Sequence, residues 1–209
     1  MGFYHRHILP RLIHSAMSQK QLASERSSLI AGARGRVLEV GVGSGLNIPY
    51  YGRDVVQLIG IDPSRALLAQ AQKTAVWSRC PVRLLEGRAE TLPLASGSID
   101  HVVMTWTLCS VADPLGALGE IRRVLRPSGA LLFIEHGLAP DDDDRVQLWQ
   151  ELLTPLWRRL AGNCHPNRRI DRLLEAAGFA PEMMDCGYLI DGPKVLTFHY
   201  RGCARAIRA

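Results

Sequence analysis

A doubly wound α/β fold, with a seven-stranded and mostly parallel sheet ending in an antiparallel hairpin, is predicted by three features of this 209-residue chain. Short apolar runs alternate with helical patterns between residues 36 and 135, which implies right-handed crossovers and a sheet covered on both faces. The first run, Val37-Leu38-Glu39-Val40, leads straight into Gly41-Val42-Gly43-Ser44-Gly45, where a ligand can lie directly against backbone. Two final strand-like runs flank the turn Asp191-Gly192-Pro193-Lys194, as a hairpin requires.

The elements follow in order. Residues 1–34 read as a helical basic leader, because Leu9, Leu12, Ile13, Met17 and Leu22 recur at helical spacing and Pro10 suits a first turn. Residues 35–209 read as one domain, with parallel strands expected at 36–40, 56–61, 82–86, 99–105 and 130–135. Helices are expected at 47–50, 64–77 and 114–125. Asp62-Pro63 and Asp113-Pro114 each place a capping carboxylate before a proline at the first helical position. Beyond Glu135, Asp141–Asp144 open an acid-capped helix over 145–160 that carries Val146, Trp149, Leu152, Leu153, Leu156 and Trp157. Pro155 should kink that helix or divide it in two. A helix over 168–177 should end at Gly178, and the hairpin strands are expected at 183–189 and 195–200.

Composition narrows the function classes. At 47% hydrophobic residues the chain can bury one full core. No apolar run approaches the roughly 20 residues that span a bilayer. The N-terminus lacks a secretory pattern, and Arg6 stands where an acylation signal after Gly2 wants Ser or Thr. Cys80, Cys109, Cys164, Cys186 and Cys203 are scattered and odd in number, which favours a reducing, cytoplasmic setting over disulfides or a zinc knuckle. No metal site is expected, since neighbouring aspartates on one loop rarely converge and Cys164-His165 lacks two further ligands. The net charge of +5 resides in residues 1–36, which hold six Arg or Lys against Glu25. Such a leader suits a lid over a substrate pocket, packing on the core, peripheral contact with an anionic membrane surface, or simple solubility.

In an open parallel sheet, ligands bind beyond the carboxyl ends of the strands. Four loops meet there. The glycine loop is neither a dinucleotide fingerprint, since Leu46 occupies the last glycine position, nor a P-loop, since no Lys-Ser/Thr follows Gly45. Asp62 ends the second strand and can accept hydrogen bonds from a ribose diol; its alternative role is the helix cap. Gly87-Arg88-Ala89-Glu90-Thr91-Leu92-Pro93 follows the third strand, and a backbone N–H with an acid there can read an adenine edge. Thr105-Trp106-Thr107-Leu108-Cys109-Ser110-Val111 follows the fourth.

These motifs, with Ile99-Asp100 and Val124-Leu125-Arg126-Pro127-Ser128-Gly129, resemble the UbiE-type branch of class I S-adenosylmethionine-dependent methyltransferases, whose fold is Rossmann-like. Thr107–Val111, Glu135-His136, Gly162-Asn163-Cys164-His165 and His199-Tyr200-Arg201-Gly202-Cys203-Ala204 are similar, more narrowly, to the alkyl-thiol methyltransferase group. The resemblance implies that S-adenosyl-L-methionine is the cofactor. It places Glu39 near the methionine amino end, Gly41 and Gly43 along the cofactor, and Asn47 closing the loop. Asp62 would hold the ribose, Ala89 and Glu90 face the adenine, and Thr105 and Leu108 lie beneath the sulfonium. Two departures stand out: Arg88 replaces an acid common in relatives, and the leader is basic rather than an apolar membrane segment. Asn47-Ile48-Pro49-Tyr50 mimics a nucleic-acid methylation motif but sits after the wrong strand, so no nucleic-acid partner is expected.

The expected activity is methylation of a small molecule, with a thiol favoured. A thiol must ionise from a pKa near about 8.5, and His136 and His165 are the candidate general bases. Each has a structural alternative: His136 as a loop histidine fixing a carbonyl, His165 as a helix-entry contact. Two other readings remain, N- or C-methylation of a lipid-like amine or quinone, and a cofactor-binding module without transfer activity.

Overall fold

A computed structural model describes residues 8–207; Gly2 and Arg6, named above, lie outside the described residues. In chain order the elements are α1 (Leu9–Met17), α2 (Lys20–Ile30), β1 (Gly35–Val40), β2 (Val55–Asp62), α3 (Arg65–Thr74), β3 (Val82–Glu86) and β4 (Ile99–Thr105). They continue with α4 (Pro114–Val124), β5 (Leu125–His136), α5 (Asp144–Leu160), α6 (Ile170–Ala176), β6 (Phe179–Tyr188) and β7 (Phe198–Ala206). The sheet order is β3-β2-β1-β4-β5-β7-β6, with β7 antiparallel to both neighbours and every other pair parallel. The order reverses between β1 and β4. Crossovers diverge there, and a crevice opens beyond the strands' carboxyl ends.

Both faces of the central strands are covered, which is why they read as near-continuous apolar runs. Leu38, Val40, Ile59, Val102 and Met104 pack on one face with Leu118 and Ile121 of α4. On the other, Val37, Leu58, Val103 and Leu132 pack with Ala71 of α3 and Ile30 of α2. The last turn of the leader is thus part of the core. No helix among the described residues is long and apolar enough to cross a membrane.

Several expectations are corrected. Asp113 caps α4, accepting from the Gly116 N–H at 2.9 Å, but the cap of α3 is Ser64 rather than Asp62. β2 runs through Asp62, so the helix starts later and its first turn takes the Ser64 oxygen. α5 is one continuous helix despite Pro155. The carbonyl that the proline leaves without a donor belongs to Glu151, which is exposed and reachable by water. The apolar stripe of α5 faces outward. Its buried positions include Val146, Gln150 and Thr154, while Trp149, Leu152, Leu153 and Leu156 are exposed. Gln150 accounts for this orientation. Its Oε1 accepts from the Ala139 N–H at 2.9 Å, and its Nε2 donates to the carbonyls of Gly137, Pro166 and Val195 at 3.1, 3.0 and 3.2 Å. One amide thereby satisfies backbone from three loops. The hairpin strands are longer than expected: β6 starts at Phe179 and β7 ends at Ala206, with a single 3-10 turn at Lys194–Leu196 between them. β6 is an edge strand exposed over most of its length, so it carries no apolar alternation to read.

Candidate active site

Glu39 ends β1 in full burial, and two side chains satisfy its oxygens. Asn47 Nδ2 donates to Oε1 at 2.9 Å and the Tyr51 hydroxyl donates to Oε2 at 2.8 Å. Burial pushes the Glu39 carboxyl up to about 7, against the pull of the Tyr51 and Asn47 hydrogen bonds and of the Arg26 charge. Asn47 also donates to Thr105 Oγ1 at 3.0 Å, so it ties the end of β1 to the end of β4 across the switch point. Its own Oδ1 accepts from Arg26 at 2.8 Å.

Gly41, Gly43 and Gly45 all have positive φ, a conformation other residues rarely adopt. At Gly41 a Cβ would fall 2.1 Å from Thr107 Oγ1, so the loop after β4 lies directly against the glycine loop. Asp62 holds the glycine loop from the other side. Its Oδ2 accepts from the Gly43 N–H at 3.0 Å and its Oδ1 from the Ser64 N–H at 2.8 Å. Burial raises its carboxyl pKa, partly offset by those two donors. Ala89 is buried beside the loop after β3. The Glu90 carboxylate lies 3.7 Å from Arg88 Nε and accepts from the Asp113 N–H at 3.4 Å, so Arg88 pairs with the acid next to it.

The leader enters this site. Arg26 is 5% exposed, and its guanidinium lies 4.5 Å over the Trp106 ring. Burial depresses its pKa to about 10, with Glu39 opposing. Arg26 is therefore an internal cation rather than part of a basic surface. On α1, His14 Nδ1 lies 2.8 Å from Ser44 Oγ, so both leader helices touch the glycine loop or its neighbour Asn47.

Trp106 follows β4 with φ 52°, a conformation that costs a bulky residue about 1–3 kcal/mol and tends to mark sites where geometry matters. Its ring meets His199 edge-on at 6.0 Å, and His199 lies 5.6 Å from His136. His136 is the last residue of β5, not a loop histidine. It is 6% exposed, with Nδ1 3.5 Å from Cys164 Sγ and a buried Nε2 that has no hydrogen-bond partner. His199 Nδ1 donates to the Thr197 carbonyl at 2.8 Å; burial, then His136, lowers its pKa to about 4. His165 sits on the same side, but its backbone N–H and its Nδ1 both go to the Cys109 carbonyl, at 2.8 and 3.1 Å. That pairing ties His165 to the loop after β4 rather than to a helix entry. It also leaves Nε2 as the lone-pair nitrogen, because a carbonyl can only accept.

The loop after β4 is pinned by Glu135, another residue whose role the sequence did not disclose. Its fully buried carboxylate accepts from the N–H groups of Thr107 at 3.0 Å and Cys109 at 3.3 Å, and burial lifts its pKa to about 7 against those donors. Leu108 is buried between them, and its carbonyl accepts from Arg168. A carboxylate facing consecutive backbone N–H groups leaves no pattern in sequence beyond a polar residue inside an apolar strand. That signal was present at Glu135 and was not read.

The glycine cradle, the acid at the end of β2 and the buried Glu39–Asn47–Arg26 network fit a nucleoside bearing an amino-acid tail. Residues 38–133 match a family described as "Methyltransferase domain". The chain is 32% identical over 186 residues to the thiol S-methyltransferase TMT1B of Homo sapiens, covering 85% of this chain and 74% of that protein. It is 32% identical over 133 residues to the ubiquinone/menaquinone biosynthesis C-methyltransferase UbiE of Syntrophotalea carbinolica, covering 61% and 55%. In three dimensions it superposes on a SAM-dependent methyltransferase from Aquifex aeolicus with TM-score 0.66 and 19% identity, over 93% of this chain and 97% of that one. That last likeness shows the fold. The chain belongs to the UbiE-type branch of class I S-adenosylmethionine-dependent methyltransferases, among relatives that include the thiol S-methyltransferases.

Proposed function

We propose that this methyltransferase acts on the sulfur of a small thiol, with His136 as the general base. The observation that carries this reading is the buried, unpartnered Nε2 of His136 at the carboxyl end of β5, beside Cys164. When the Cys164 sulfur is anionic, Nδ1–H donates to it and Nε2 keeps the lone pair that an acceptor thiol needs. Histidine suits the task because its ordinary pKa lies just below that of a thiol, so the proton moves with little penalty. The identity to thiol S-methyltransferases over most of the chain supports the same acceptor.

S-Adenosylmethionine, when bound, supplies an electrophilic methyl group on a sulfonium. The residues that would hold it are Gly41, Gly43, Asn47, Asp62 and Ala89, with Glu39 for the methionine amine and Thr105 and Leu108 for the sulfonium. Glu90 would serve the adenine, although its carboxylate already serves Arg88 and Asp113. Arg26 adds a cation suited to the methionine carboxylate. The protein's contribution is alignment and exclusion of water, an effect worth up to about 7–11 kcal/mol. The buried walls made by Leu108, Ile48 and Tyr51 serve that exclusion. His165, tethered through Nδ1, is a second base of the same kind on the neighbouring loop.

A second reading, methylation of a lipid-like acceptor, has its own support. The exposed face of α5 carries Leu148, Trp149, Leu152, Leu156 and Leu160 at helical spacing. Such a stripe is suited to an acyl chain or membrane surface. Labelled methyl donor with separate thiol and lipid acceptors distinguishes the two. Label recovered only in the lipid fraction rejects the thiol reading.

A further inference from the structure

Two cysteines lie against one another next to His136, and only one of them, Cys164, touches the proposed base. Cys109, on the loop after β4, and Cys164, on the loop after α5, bring their sulfurs to 3.7 Å although 55 residues separate them in the chain. Cys109 is 2% exposed, whereas Cys164 is half-buried and the more accessible of the two. Cys164 also has the His136 Nδ1 at 3.5 Å. The next residue, His165, holds the Cys109 carbonyl through its own N–H and ring, so the two loops are fastened on either side of the sulfur contact. Asn163 has φ 67° and donates from Nδ2 to the Ser110 carbonyl at 2.9 Å, which adds a third tie.

We propose that Cys109 and Cys164 form a peroxide-responsive, reversible disulfide, with Cys164 as the attacking sulfur and Cys109 as the resolving one. The Cys164 thiolate displaces hydroxide from the peroxide O–O bond and becomes a sulfenic acid. The Cys109 sulfur then attacks that sulfur, the S–S bond forms, and the hydroxyl leaves as water with the Cys109 proton. Two thiols are oxidised and one peroxide is reduced to two waters. A dithiol returns the pair to its starting state. The environments match these roles. The contact with Cys109, together with His136, holds the Cys164 thiol well below its usual range despite burial. The same contact and burial push Cys109 up, and the Glu135 carboxylate adds to that. Ready ionisation and access select the sulfur that reacts first.

The test uses the full chain, reduced, exposed to hydrogen peroxide, then alkylated and mapped by mass spectrometry. The expected product has lost two hydrogens, contains a peptide joining Cys109 to Cys164, and reverts with dithiothreitol. Cys80, Cys186 and Cys203 remain available for alkylation. In C109S the sulfenic acid accumulates and dimedone labels Cys164 about tenfold faster than the exposed Cys186, while in C164S dimedone does not label Cys109. Peroxide that oxidises Cys186 but leaves Cys109 and Cys164 unlinked overturns the proposal, as does a disulfide to any other cysteine. The wild-type peptide map needs neither variant to fold and does not depend on which acceptor the enzyme methylates.

Discussion

In the proposed cofactor site, Asp62 and Glu39 would make different demands on the ligand. Asp62 accepts from two backbone N–H groups, which fixes its carboxylate at the end of β2, and charge-assisted hydrogen bonds to a diol contribute about 1.5–3 kcal/mol each. Asp62→Ala should weaken cofactor binding by about tenfold or more in calorimetry. An unchanged dissociation constant would reduce Asp62 to a brace for the glycine loop. Glu39 predicts a pH dependence instead. Its folded pKa near 7 means that the free protein carries it partly protonated at neutral pH. A cationic donor favours the carboxylate, so binding lowers that pKa and releases a proton. Affinity should therefore rise from about pH 6 to about pH 8 and level off above. Glu39→Gln should flatten the profile; a wild-type profile that is already flat would separate Glu39 from the ligand. The acids and glycines of this site were legible because each residue type performs one recognisable task. Arg26, Trp106, Glu135 and His199 were not, because their roles arise from contacts across 26 to 93 positions that no local pattern records.

Helix α5 shows why periodicity alone does not give the direction of a face. Its apolar residues repeat at helical spacing, yet the stripe faces outward and the buried face is anchored by an amide. A hydrophobic pattern gives the width of a face, whereas the direction it points follows from which backbone groups nearby require partners. Gln150→Leu keeps the volume similar and leaves one buried N–H and three carbonyls without that partner. It should destabilise the protein by about 2–4 kcal/mol, read as a fall in the denaturant midpoint. A change under about 0.5 kcal/mol would mean that water replaces the amide. Strands β1, β2 and β4 were legible to within a residue, since both of their faces are buried, whereas β5 begins at Leu125, five residues before the expected start. The hairpin was legible only as a hairpin, because β6 at the sheet edge lacks a buried face to reveal its length.

Across the molecule, the leader is the element whose sequence left most open, between lid, core packing and surface contact. The fold uses Ile30 in the core, Arg26 in the site and His14 against the glycine loop. Such an arrangement covers the cofactor crevice, and we infer that the leader is a lid that must loosen for exchange. Amide hydrogen exchange over residues 9–30 should slow at least about tenfold when cofactor is bound, while β4 and β5 change little. Equal exchange with and without cofactor would make the leader a fixed wall. The account as a whole turns on the acceptor. Purified full-length protein incubated with methyl-labelled S-adenosylmethionine, a small alkyl thiol and a lipid extract should place the label in a thioether. His136→Gln should lower the rate about 10²-fold or more with little change in cofactor affinity. Label appearing in lipid and none in thioether would contradict the account.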